Sequence, residues 1–94
     1  MIRDRMSADD AETIAVAGLG FLAGRPEHLA RFLAETGIGP HSIRAAAADP
    51  GFLAGVLAFL MNDEALLLEF TEHARLRPTL VAVAHHRLEA GTAE

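Results

Sequence analysis

Four prolines, Pro26, Pro40, Pro50 and Pro78, divide this chain more firmly than any other feature. Proline has no N–H to donate and its ring clashes with the preceding turn, so it is tolerated at the first helical position and excluded from a helix interior. Each one marks a point where one helix has ended and another can begin. Gly24, Gly37, Gly39 and Gly91 fall where helices can stop or turn.

The residues between these marks favour helix. Apolar residues make up 51% of the chain, Ala and Leu prominent among them, while Tyr and Trp are absent and Val and Ile sparse. Strand-favouring side chains are therefore mostly missing. The reading is all-α: one domain over 1–94, a compact orthogonal bundle of about six short helices at 8–23, 26–35, 41–48, 50–61, 63–75 and 78–89, with 1–6 and 91–94 frayed. Ser7 is placed to cap the first helix and Asp10 sits near a capping-box position. Asp49 caps the fourth, and Asn62 or Asp63 the fifth.

The helix at 50–61 sets the core. Phe52 to Met61 carries no charged or hydrogen-bonding side chain. A membrane-spanning helix needs about 20 apolar residues, and this run is broken by Asn62, Asp63 and Glu64 on one side and Asp49 on the other. At 100° per residue its Phe, Leu, Val and Met cover more than half the circumference, and Ala54, Gly55 and Ala58 fill the rest. A helix apolar all round is buried all round, so 50–61 is expected to be central and buried. The small residues should let a neighbouring backbone close in, and Gly55→Leu should clash.

Three apolar residues fit their helices less well. Leu66, Leu67, Phe70 and Ala74 form the core stripe of the fifth helix, and Leu68 falls opposite them among Glu64, Glu72 and Arg75. Val16 in the first helix and Val83 in the sixth are similarly out of place. Leu68, Val16 and Val83 are the candidate interface residues, since apolar side chains off the core face can belong to a contact surface.

Several functional motifs fail on their context. Gly18, Gly20 and Ala23 match the G-x-G-x-x-A dinucleotide fingerprint, but Pro26 would stop the helix whose N-terminus must hold the pyrophosphate. Gly18 fits better inside a helix, sharing a face with Ile14, Phe21 and Leu22. His85 and His86 point about 100° apart on a helix and cannot share an ion; both fall on the polar side, and no metal is expected. Glu69 and His73, four residues apart, are spaced to touch. With no Cys there is no thiol nucleophile or disulfide. Ser7 and Ser42 sit at helix starts, and most carboxylates belong to helix starts or solvent faces. No enzymatic activity and no cofactor are expected.

The net charge is −5, and the eight basic residues are all Arg, scattered from Arg3 to Arg87. Nucleic-acid binding needs a concentrated positive patch, so no nucleic-acid partner is expected. A helix-turn-helix at 41–48 and 50–61 would offer the groove an apolar second helix. "MIRDRMSADD" has no apolar h-region, and the cytoplasm is the expected compartment.

"GLGFLA" at 18–23, resembling an ALxFLA-like helix end, "RFL" at 31–33, "TGIGP" at 36–40 and above all "DPGFLAGVLAFLMNDEALLLEF" at 49–70 resemble a family of short, uncharacterised bacterial proteins, a domain of unknown function. The resemblance runs from Asp10 to Phe70. It implies a compact helical domain and brings no catalytic or ligand residues. The leading expectation is a non-enzymatic protein–protein interaction module, with an unknown protein partner or a homo-oligomer. A regulatory DNA-associated protein is the alternative. A small-ligand carrier would need an apolar cavity beside 50–61 lined by Phe52, Phe59 and Leu60.

Overall fold

The computed structural model describes residues 6–92, and the fraying expected of 1–5 and 93–94 lies outside them. The described chain is helical throughout: α1 (Ala8–Ala23), α2 (Pro26–Thr36), a 3₁₀ turn (Pro40–Ser42) running into α3 (Ile43–Ala46), α4 (Pro50–Met61), α5 (Glu64–Ala74) and α6 (Pro78–Thr92). Every proline opens an element. Ser7 Oγ accepts the Asp10 N–H at 3.0 Å, Asp49 Oδ1 the Gly51 N–H and Asp63 Oδ1 the Leu66 N–H, both at 3.1 Å. These caps satisfy donors that the first turn of a helix leaves free.

Three helices form a frame. The first and last, α1 and α6, lie against each other and both lie against α4. Val56, Leu57 and Leu60 of α4 are fully buried, as are Ala11, Ala15 and Leu22 of α1 and Val81 and Ala84 of α6. The α1–α4 approach is close because residue 18 is glycine: a Cβ there would stand 3.0 Å from Leu60 Cδ1 and 3.4 Å from Val56 Cγ1. Arg87 Nε donates to the Met6 carbonyl at 3.2 Å, joining the start of the described chain to its last helix. α5 packs on α4, with Phe70 and Leu66 turned inward. The Cα radius of gyration is 12.6 Å, near the roughly 12 Å expected of a compact chain this long.

Several expectations need correction. The third helix does not run from 41 to 48; it is a 3₁₀ turn followed by four α-helical residues. None of its residues is buried, and so short a helix depends on tertiary packing to persist. Pro50 also forces Asp49 into extended backbone, φ −98°, ψ 120°. The last helix continues beyond 89 through Gly91 to Thr92, carried by a buried stripe of Val81, Ala84 and Leu88.

α4 is the central helix but is not sealed on every side. Gly51, Gly55 and Ala58 are only half-buried. A Cβ added at Gly55 meets nothing within 4 Å, so the close approach of a neighbouring backbone expected there is absent. The close approach lies at Gly18 instead. Gly20, too, faces open space.

Candidate interaction surface

Among the described residues, Val16, Leu68 and Val83 are the large hydrophobics left exposed, at 50%, 49% and 40%. Each is turned away from the buried stripe of its own helix. In α1 the stripe is Ala11, Ala15, Gly18 and Leu22, and Val16 follows Ala15 on the outward side. In α6 the stripe is Val81, Ala84 and Leu88, and Val83 stands opposite it beside exposed Ala82, His86 and Arg87. In α5 the inward residues are Leu66, Phe70 and Thr71. Leu68 is exposed with Glu64, Glu69 and Glu72.

The three residues thus stand on outward faces of three different helices. Val16 lines a shallow hollow of about 350 Å³ with Asp9, Glu12 and Thr13, all from α1. Its rim is acidic, because Asp9 lies in the first turn, where carboxylates favour the positive end of the helix dipole. The surroundings of Val83 instead include Arg87 and His86.

A second hollow, an open groove of about 330 Å³, runs between α2 and α4. Phe32, Glu35 and Thr36 line one side and Gly55, Ala58, Phe59 and Asn62 the other. It is not the carrier cavity weighed above: of Phe52, Phe59 and Leu60 it contains Phe59 alone, while Phe52 and Leu60 are buried. The groove exists because Gly55 and Ala58 leave α4 without bulk on that side.

Two arginines lie over aromatic rings. Arg25 lies over the Phe21 ring, 4.6 Å from its centroid, and pairs with Glu69 of α5. The expected Glu69–His73 contact is therefore replaced: Glu69 reaches Arg25, and His73 packs on Phe21 at a ring distance of 5.7 Å. Arg31 lies 5.1 Å from the Phe59 centroid and 3.5 Å from Asp63. Neither pairing is visible in the sequence, since both join residues distant along the chain.

His85 corrects a further expectation. Its side chain is only 19% exposed and its Nε2 lies 3.5 Å from Glu89 Oε2, whereas His86 faces solvent. Among the described residues no three His, Asp or Glu side chains are grouped to hold a metal ion, and every buried side-chain nitrogen or oxygen has a partner. Gly18 and Gly20 stand inside α1 and form no phosphate-binding loop. No single described helix is long and apolar enough to cross a membrane; the segments Pro40–Ala46 and Pro50–Met61 are bent by 114°.

Comparison with curated proteins and with solved structures gives no match. A family model does match residues 8–91, which takes in all six helices except the last residue of α6. The chain is a member of the family described as "Protein of unknown function (DUF3572)".

Proposed function

We propose that this chain is a non-enzymatic protein–protein interaction module of the bacterial cytoplasm, and that its first partner to test is a second copy of itself. The observation that carries this reading is the exposure of Val16, Leu68 and Val83, at 50%, 49% and 40%, on outward faces of α1, α5 and α6. Among the described residues the other large apolar side chains, including all five phenylalanines, are drawn into the core or half-buried. Apolar side chains gathered into one patch and rimmed by polar ones mark a protein contact surface. The net charge of −5 favours a protein partner over a nucleic acid.

The test is solution mass by light scattering across a concentration series, for the wild type and for Leu68→Glu, Val16→Glu and Val83→Glu. Substitutions at exposed sites usually change stability by about 0.5 kcal/mol or less, so each variant should stay folded by circular dichroism. A dimer that one or more of these substitutions converts to a folded monomer supports the reading. A wild-type monomer at every concentration overturns self-association. Salt-sensitive retention of the wild type on DNA would favour a regulatory DNA-associated protein instead.

A further inference from the structure

The α2 helix is attached differently from the rest of the bundle. Phe32 is its one buried residue, 1% exposed, and Leu29 and Leu33 are half-buried. Its backbone approaches that of α1, Leu29 and Leu33 pack against the edge of the core, and the side chains of Phe32 and Arg31 reach Phe59 of α4. Phe32 stands edge-on to Phe52 and Phe59, with ring centroids 5.5 and 5.3 Å apart. Two arginines add contacts beside this plug. Arg25, at the N-cap of α2, covers Phe21 and pairs with Glu69; Arg31 covers Phe59 and meets Asp63. The groove between α2 and α4 shows that the two helices do not close along their length.

We propose that α2 is a latched strap: it opens as a unit, withdrawing Phe32 from Phe52 and Phe59, while the α1–α4–α6 frame stays folded. Both latches are solvent-accessible. The side chains of Arg25 and Glu69 are 40% and 51% exposed, and those of Arg31 and Asp63 52% and 36%. Exposed ion pairs and cation–π contacts are individually weak and the former are screened by salt. Segments with few buried apolar contacts open at lower free energy than the core. The strap is jointed at both ends: Gly24 precedes it, and Gly37, in the left-handed region at φ 77°, follows it. Opening uncovers an aromatic floor, Phe52 and Phe59, on the central helix. This device is independent of the exposed residues on α1, α5 and α6.

Native-state hydrogen exchange read by mass spectrometry or NMR tests it on the full chain. In the wild type, α2 amides should exchange faster than those of α4 and α6. Raising NaCl from 0.05 to 1 M, where the screening length falls to about 3 Å, should speed α2 several-fold and leave α4 and α6 unchanged. The Arg25→Ala/Arg31→Ala variant should raise α2 exchange by about tenfold, the factor that corresponds to 1.4 kcal/mol. Arg25→Lys/Arg31→Lys should fall between, because lysine keeps the charge and loses the planar stacking. The α6 amides report whether each variant is folded. If α2 exchanges at the rate of α4 in the wild type and in both variants, α2 opens only with global unfolding and the strap is overturned.

Discussion

Arg75 ends α5 at φ 60°, ψ 45°, the left-handed region that side chains other than glycine enter at some expense. Two hydrogen bonds hold it there: the Arg75 N–H donates to Glu72 O at 3.3 Å and the Leu76 N–H to Thr71 O at 2.8 Å. This is the paired closure of a Schellman motif, whose usual residue at that position is glycine. Arg75→Gly is therefore expected to raise stability by about 0.5–1 kcal/mol, measured as a shift in the urea midpoint at constant slope. The glycines inside helices give a second comparison. Gly18→Ala and Gly55→Ala share a helix-propensity gain of about 1 kcal/mol. Only the first forces a methyl to 3.0 Å from Leu60, a fully buried side chain in a packed core. Gly55→Ala should stabilise the protein, and its stability should exceed that of Gly18→Ala by at least about 1 kcal/mol. Equal effects of the two would show that α1 and α4 do not meet so closely. Sequence identified Gly18 as a packing position from the face it shares with Ile14, Phe21 and Leu22. It misjudged Gly55, because helical periodicity says which residues are apolar and not how far away the neighbouring helix stands.

At the scale of elements, Asp63 joins two tasks. Its Oδ1 caps α5 through the Leu66 N–H, and its Oδ2 lies 3.5 Å from Arg31. Asn preserves the cap and removes the charge, whereas Ala removes both. Asp63→Ala should lose about 1 kcal/mol or more and Asp63→Asn less than about 0.5, with thermal melts separating the two. If both variants lost equally, the ion pair rather than the cap would be the stabilising part. Proline and capping residues made the helix starts legible in the sequence, and all four prolines open an element. Helix lengths were less legible. α3 has the alanine-rich composition of a good helix and nevertheless stops after four residues. Propensity is a weak prior for a segment that buries no residue.

At the scale of the whole molecule, the first and last described helices are in contact. α1 and α6 meet across the full length of the chain and share α4 as a common support, so the frame is incomplete until the last helix has formed. Truncation before Pro78 removes Val81, Ala84 and Leu88 from the core and exposes the apolar surfaces of α1 and α4 that they cover. The truncated chain is expected to lose its cooperative thermal transition, followed by far-ultraviolet circular dichroism. A cooperative melt in residues 1–77 would show that α1 to α5 can form a core by themselves.

Sequence alone determined that the described chain is helical, where most of its helices begin, which helix is central, and that Val16, Leu68 and Val83 stand off the core faces of their helices. Those properties depend on local chemistry: proline geometry, capping side chains and the period of the apolar pattern act within a few residues of one another. Tertiary structure alone decided that Gly18 rather than Gly55 is the point of close approach, that Glu69 belongs to Arg25, and that Phe32 of α2 stands between Phe52 and Phe59 of α4. Each of these depends on residues far apart in the chain, such as Gly18 with Leu60 and Arg25 with Glu69. Periodicity places a side chain on a face of its helix, but the crossing of two helices determines what that face meets.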